Sequence, residues 1–78
     1  QHIQIKVVGD QGEIAFKIKR STALQRLMDA YINKSGQDRA SVRFLYDGNR
    51  LEGTETPEEL DMEEGDQIQV TVQQIGGF

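Results

Sequence analysis

The chain has no cysteine and no tryptophan, one proline, one histidine and five Phe or Tyr residues among 78. Without cysteine there is no disulfide, no thiolate zinc site and no cysteine nucleophile. No apolar run approaches the ~20 residues that span a bilayer, and no signal-peptide pattern opens the sequence. It therefore reads as soluble and intracellular, with no membrane partner. The one histidine, His2, stands where an end is expected to fray, and Ser21, Ser35 and Ser41 have no base beside them in sequence. A nucleophile needs a positioned general base and an oxyanion site, so no catalytic residue and no enzyme activity are expected. Nor is there a Gly-rich phosphate loop ending in Lys-Ser or Lys-Thr.

The charge is divided along the chain. Residues 1–50 hold all nine Lys and Arg against five acids, a balance of +4, whereas residues 51–78 hold eight acids and no base, a balance of −8. Charge runs ordinarily mean solvated faces, but two faces of opposite sign can also recruit two different partners. The acidic half argues against direct nucleic-acid binding, which needs clustered cations. Within it, Asp61-Met-Glu-Glu-Gly-Asp66 invites a calcium reading. Gly65 sits fifth where an EF-hand loop needs it sixth, and no closing glutamate follows, so no metal and no cofactor are expected.

What is present is a legible alternation. Ile3, Ile5 and Val7 predict a strand with one buried face, Gly9-Asp10-Gln11-Gly12 a turn, and Ile14, Phe16 and Ile18 a second strand closing a hairpin. Thr22-Ala-Leu-Gln25 has the form of a capping box, and Leu24, Leu27, Met28 and Tyr31 form one stripe of a helix that Gly36 should stop. Val42–Tyr46 predicts a strand, Asp47-Gly48 a tight hairpin turn and Asn49–Leu51 its return. Thr56-Pro-Glu-Glu59 is a second capping box, with proline at the first helical position, expected to start about one helical turn ending near Leu60. Ile68, Val70 and Val72 predict a last strand ending near Gln73. The order ββαββαβ, a mixed sheet wrapped around one long helix, is an α+β fold of the β-grasp type. One domain is expected over residues 1–73, with a flexible tail over 74–78. Gly76 and Gly77 in that tail have no Cβ, so the backbone there could pass a narrow channel and present a carbonyl to a nucleophile.

Five segments together resemble the SUMO family of small ubiquitin-like modifiers: Glu13–Lys19, Leu24–Met28, Val42–Gly48, Thr56–Glu64 and Gln74–Gly77. The resemblance runs from Ile3 to Gly77 without a gap, and ubiquitin itself fits less well. It implies a modifier whose Gly77, following Gly76, is adenylated by an activating enzyme, passed as a thioester to a conjugating enzyme and joined to a substrate lysine as an isopeptide. Ligases and SUMO proteases would be further partners. Phe78 would be removed by such a protease after Gly77 before activation, and localisation to nucleus and cytoplasm is implied.

The resemblance further implies two recognition surfaces. SUMO-interaction motif peptides would add as a strand beside residues 13–19 and fill a groove lined by Ile14, Phe16, Ile18 and Leu27, with Thr22 among the groove residues. Lys17, Lys19, Arg26 and Lys34 would meet the acidic or phosphorylated residues flanking such peptides; read from the residues alone, the same lysines protect a sheet edge. A conjugating-enzyme contact would use Arg43, Asp47, Gly48, Glu63, Glu64 and Asp66. None of Lys6, Lys17, Lys19 or Lys34 has an acid two residues on, so the family's lysine acceptor pattern is absent. Two other functions remain open at this stage: a SUMO-like binding domain that is not conjugated, and a sulfur carrier, which would share the β-grasp and the glycine pair.

Overall fold

The computed structural model describes residues 2–10 and 12–72. Gln11 of the first turn, the expected strand end at Gln73, and the tail with Gly76, Gly77 and Phe78 lie outside the described residues.

The alternating segments form β1 (His2–Gly9) and β2 (Gly12–Lys19), paired antiparallel with Ile3 opposite Ile18, Ile5 opposite Phe16 and Val7 opposite Ile14. Matching apolar positions across the pair puts one apolar face toward the interior, because side chains alternate strictly along each strand. Helix α1 (Gln25–Ser35) lies against that face and buries Leu27, Met28 and Tyr31. After it come a 3-10 turn at Arg39–Ser41, β3 (Val42–Tyr46), β4 (Asn49–Arg50) and β5 (Gln67–Val72). The sheet order is β2-β1-β5-β3-β4, with β1 and β5 parallel and the other pairs antiparallel. This is the β-grasp arrangement. Among the described residues it leaves β2 at one edge of the sheet, with a neighbour on one side only.

The core is apolar throughout among the described residues. Ile5, Val7, Leu24, Met62 and Ile68 expose none of their surface, and Tyr31 meets Phe44 edge to face at 5.8 Å between ring centroids. Gly9 lies where a Cβ would come within 2.7 Å of the Tyr31 hydroxyl, so its lack of a side chain lets β1 pass the ring.

Three local signals act as their chemistry requires. Asp47 and Gly48 both take positive φ (55° and 83°), the type I′ geometry that matches strand twist in a two-residue hairpin. Gly36 adopts the left-handed conformation and its N–H returns to Ile32 O at 2.9 Å, ending the helix. Thr56 and Glu59 exchange bonds: the Glu59 N–H donates to Thr56 Oγ1 (3.1 Å) and the Thr56 N–H to Glu59 Oε1 (3.3 Å).

Three others differ. The Thr56 box opens a run of turns over 57–61 rather than a helix. Asp61 turns to positive φ (55°), and the Met62 N–H reaches back to Pro57 O at 2.9 Å, which seats Met62 in the core. At α1, the Thr22–Gln25 pair forms no side-chain cap; the N-cap is Leu24. The Leu24 N–H instead donates to Glu55 O (2.8 Å) and that of Gln25 to Gly53 O (3.0 Å), so a distant loop satisfies the first amides. The 3-10 turn at Arg39–Ser41, capped by Asp38 Oδ1 accepting from the Ala40 N–H (3.3 Å), has no counterpart in the sequence reading.

Candidate functional site

Edge strand β2 and helix α1 enclose a cleft of about 560 Å³. Its apolar wall comes from Phe16, Ile18, Leu27 and Ala30, and its polar rim from Lys17, Lys19, Thr22 and Arg26, with His2 and Asp29 completing the lining. Seven of the nine expected groove residues therefore meet in one place: Phe16, Lys17, Ile18, Lys19, Thr22, Arg26 and Leu27. Ile14 and Lys34 do not line it. Ile14 sits opposite Val7 near the start of β2, packed against the core, and Lys34 is exposed in the last helical turn.

His2, Asp29 and Ala30 were not anticipated. Asp29 and Ala30 follow Arg26 by three and four residues, so helical spacing alone puts them on the same face. His2 corrects the expectation of a frayed end: it pairs with Lys19 as the first residue of β1. Extending the hairpin register back from Ile3 opposite Ile18 would have located it.

Among the described residues the outer edge of β2 has no partner strand, the cleft beside it has an apolar wall, and three cations stand on its rim. Such a site can pair with an extended chain, bury aliphatic side chains and attract acids flanking them.

The second surface lies at the other end of the sheet. Asp47 and Gly48 line a shallow hollow of about 290 Å³ with Val8, Leu45, Gln67 and Gln69. Asp66 is held beside β5: its Oδ2 accepts from the Tyr46 hydroxyl (2.9 Å) and from the Glu63 N–H (2.9 Å). Burial, together with the Asp66 carboxylate that accepts its proton, pushes the Tyr46 hydroxyl up to about 12. Glu64 Oε1 accepts from the Gln4 N–H (3.1 Å), and the Gly65 N–H donates to Gln4 O (2.8 Å), which ties the acidic loop to β1. Asp47, Gly48, Glu63, Glu64 and Asp66 thus belong to turns and loops bordering one end of the sheet. Of the six expected contact residues only Asp47 and Gly48 line the hollow, and Arg43 lines a different one with Arg39 and Arg50. Among the described residues no group of three or more His, Asp or Glu is placed to hold a metal ion.

The fold defines a ubiquitin-like protein. The solved structure of Caldiarchaeum subterraneum ubiquitin superposes with a TM-score of 0.85 over 99% of this chain and all of that one, at 22% identity, a likeness of fold. Residues 3–72 match the family model described as Ubiquitin-2 like Rad60 SUMO-like. The chain is 49% identical over 78 residues to the ubiquitin-like protein pmt3/smt3 of Schizosaccharomyces pombe, covering 99% of this chain and 67% of that protein. It is 49% identical to small ubiquitin-related modifier 2 of Arabidopsis thaliana (97% and 75% covered) and 46% identical to small ubiquitin-related modifier 2 of Homo sapiens (97% and 81% covered). The chain belongs to the SUMO family. It is accordingly a ubiquitin-like protein modifier rather than an enzyme.

Proposed function

We propose that this chain is conjugated through Gly77 to substrate lysines once Phe78 has been removed, and that it is read by SUMO-interaction motif peptides in the β2–α1 cleft. The observation that carries the reading is similarity over nearly the full chain to proteins named as small ubiquitin-related modifiers, joined to the Gly76-Gly77 pair in the sequence. A glycine carboxylate is a suitable acyl donor, because nothing on its α-carbon obstructs adenylation or attack. The cysteines that carry the thioester would belong to activating and conjugating enzymes, in keeping with a chain that has none.

The cleft supports the peptide reading through its geometry, an unpaired strand edge beside an apolar trough rimmed by Lys17, Lys19 and Arg26. The β3–β4 turn bearing Asp47 and Gly48, with the loop before β5 bearing Glu63, Glu64 and Asp66, supports an acidic contact for a basic patch on the conjugating enzyme. Ligases and SUMO proteases complete the set of partners, with action in nucleus and cytoplasm.

The test is stepwise reconstitution. The full chain is treated with a SUMO-specific protease, then with activating enzyme, conjugating enzyme and ATP. Release of Phe78 followed by a band sensitive to reducing agent on the conjugating enzyme is expected. Intact Phe78, or a cut product that never forms the thioester, refutes conjugation and leaves a peptide-binding domain of the same fold.

A further inference from the structure

Arg43 points to a site that the modifier reading does not use. Arg39 of the 3-10 turn, Arg43 of β3 and Arg50 of β4 come from three separate elements and line one hollow of about 540 Å³. Its apolar base includes Met28, Val42, Phe44 and Leu51, and its one acidic lining residue is Glu52. Three cations stand against Glu52 in the lining and against Asp29, which pairs with Arg39 from α1, so one positive charge is left in excess.

Two of the three guanidinium groups are held by the protein. Arg39 is bonded to Asp29 of α1, and Arg43 Nη1 donates to Ala40 O (3.2 Å) and Val42 O (3.4 Å). Each guanidinium carries five N–H donors, so these bonds orient the side chains while leaving donors unspent. Gathering like charges is unfavourable unless an anion offsets it, and arranging the donors in advance lowers the cost of binding one. Arginine forks suit phosphate oxygens in particular.

We propose that the Arg39–Arg43–Arg50 hollow binds a phosphate group. A phosphomonoester carries about −1.5 to −2 charges near pH 7 with three acceptor oxygens, a closer match to three arginines than a single carboxylate. The hollow has room for the phosphate and part of the residue or chain that bears it. The site is distinct from the β2–α1 cleft, whose rim cations are Lys17, Lys19 and Arg26.

The experiment uses the ¹⁵N-labelled full chain, titrated with sodium phosphate against sodium chloride at constant ionic strength. Saturable amide shifts are expected over residues 39–43 and 50–52, with half-saturation at about millimolar phosphate. A phosphoserine peptide and tripolyphosphate, run in parallel, show whether peptide-borne or free phosphate is preferred; saturation of the same amides by either upholds the site. The peptide should bind at least about tenfold more tightly than its unphosphorylated form. Arg39 and Arg50 are exposed, so Arg50→Gln and the Arg39→Gln/Arg50→Gln pair are expected to fold. The single change should weaken binding about fivefold and the pair abolish it, with melting temperatures recorded as the check on folding. Shifts that chloride reproduces, shifts that survive in the double variant, or shifts confined to Lys17, Lys19 and Arg26 overturn the proposal.

Discussion

Replacing Glu55 by glutamine should loosen the end of the recognition cleft from a distance. Both carboxylate oxygens of Glu55 accept from the Glu52 N–H (3.1 and 3.0 Å), and Oε1 also accepts from the Gly53 N–H (2.8 Å). The loop so folded presents Gly53 O and Glu55 O to the first amides of α1, the helix that supplies Arg26, Leu27, Asp29 and Ala30 to the cleft. Burial alone would raise the Glu55 pKa, yet the N–H groups of Glu52, Glu55 and Gly53 outweigh it and hold the pKa below its ordinary value of 4.5. A hydrogen bond to a charged acceptor contributes about 1.5–3 kcal/mol. Glutamine keeps one acceptor oxygen, loses the charge and turns an NH₂ toward a donor. With partial solvent compensation the expected cost is about 1–2 kcal/mol, or about 5–15 °C in melting temperature for a chain of this size.

Acid should remove that difference. A carboxylate whose folded pKa is lowered contributes stability above its unfolded pKa, and the contribution is lost as pH falls through the folded value. Urea unfolding followed by circular dichroism at pH 7, 5 and 3 should therefore show the gap between wild type and Glu55→Gln at full width at pH 7. The gap should begin to narrow below about pH 4.5 and be smallest at pH 3. A gap of equal size at pH 7 and pH 3, or no gap at pH 7, refutes the role given to this carboxylate.

Phe16→Ala should weaken an aliphatic motif peptide by about 10-fold or more in a calorimetric titration while thioester formation continues, since Phe16 walls the cleft and takes no part in the acyl chemistry proposed for Gly77. Equal affinity in wild type and variant would remove Phe16 from the site. Asp66→Lys should weaken conjugating-enzyme binding, with a loss that shrinks as salt rises. Asp66→Asn, which keeps an oxygen for the Tyr46 hydroxyl and the Glu63 N–H, separates lost charge from lost structure, and a salt-independent loss in both variants would argue against an electrostatic contact. Gly9→Ala should destabilise by about 1–3 kcal/mol, because its Cβ would stand 2.7 Å from the Tyr31 hydroxyl. Adding Tyr31→Phe should recover part of that loss in the same unfolding assay, and an additive double variant would rule out this collision.

The fold was legible wherever the governing interaction is local. Alternating apolar residues gave the register of β1 and β2, and Asp47-Gly48 and Gly36 met backbone requirements that few other residues meet. Legibility failed where the partner is distant in sequence. Thr22 and Gln25 look like a cap, but Gly53 and Glu55 arrive through tertiary packing and take the amides first. The Thr56 box does form, yet burial of Met62 and the reversal at Asp61 end it as a set of turns. The same division holds at the cleft. Residues on one strand or one helix face were found from spacing, whereas His2 depends on hairpin register and the three-arginine hollow on the meeting of three elements.

The acidic half of the chain shows why charge bookkeeping alone misleads. Of the eight acids after residue 50, Glu55, Glu59, Glu64 and Asp66 accept backbone N–H groups within the molecule. They fold the loops that cap α1, open the 57–61 turns and join the acidic segment to β1. The other four, Glu52, Glu58, Asp61 and Glu63, are exposed. A partner attracted to this half meets a field set largely by the exposed acids, those four with Glu59, Glu64 and Asp47, and by Asp66 held in fixed orientation among them. Neutralising an exposed acid such as Glu58 or Glu63 should therefore change association and leave folding nearly untouched. Neutralising Glu55 should do the reverse, because its charge is already engaged by the protein's own amides.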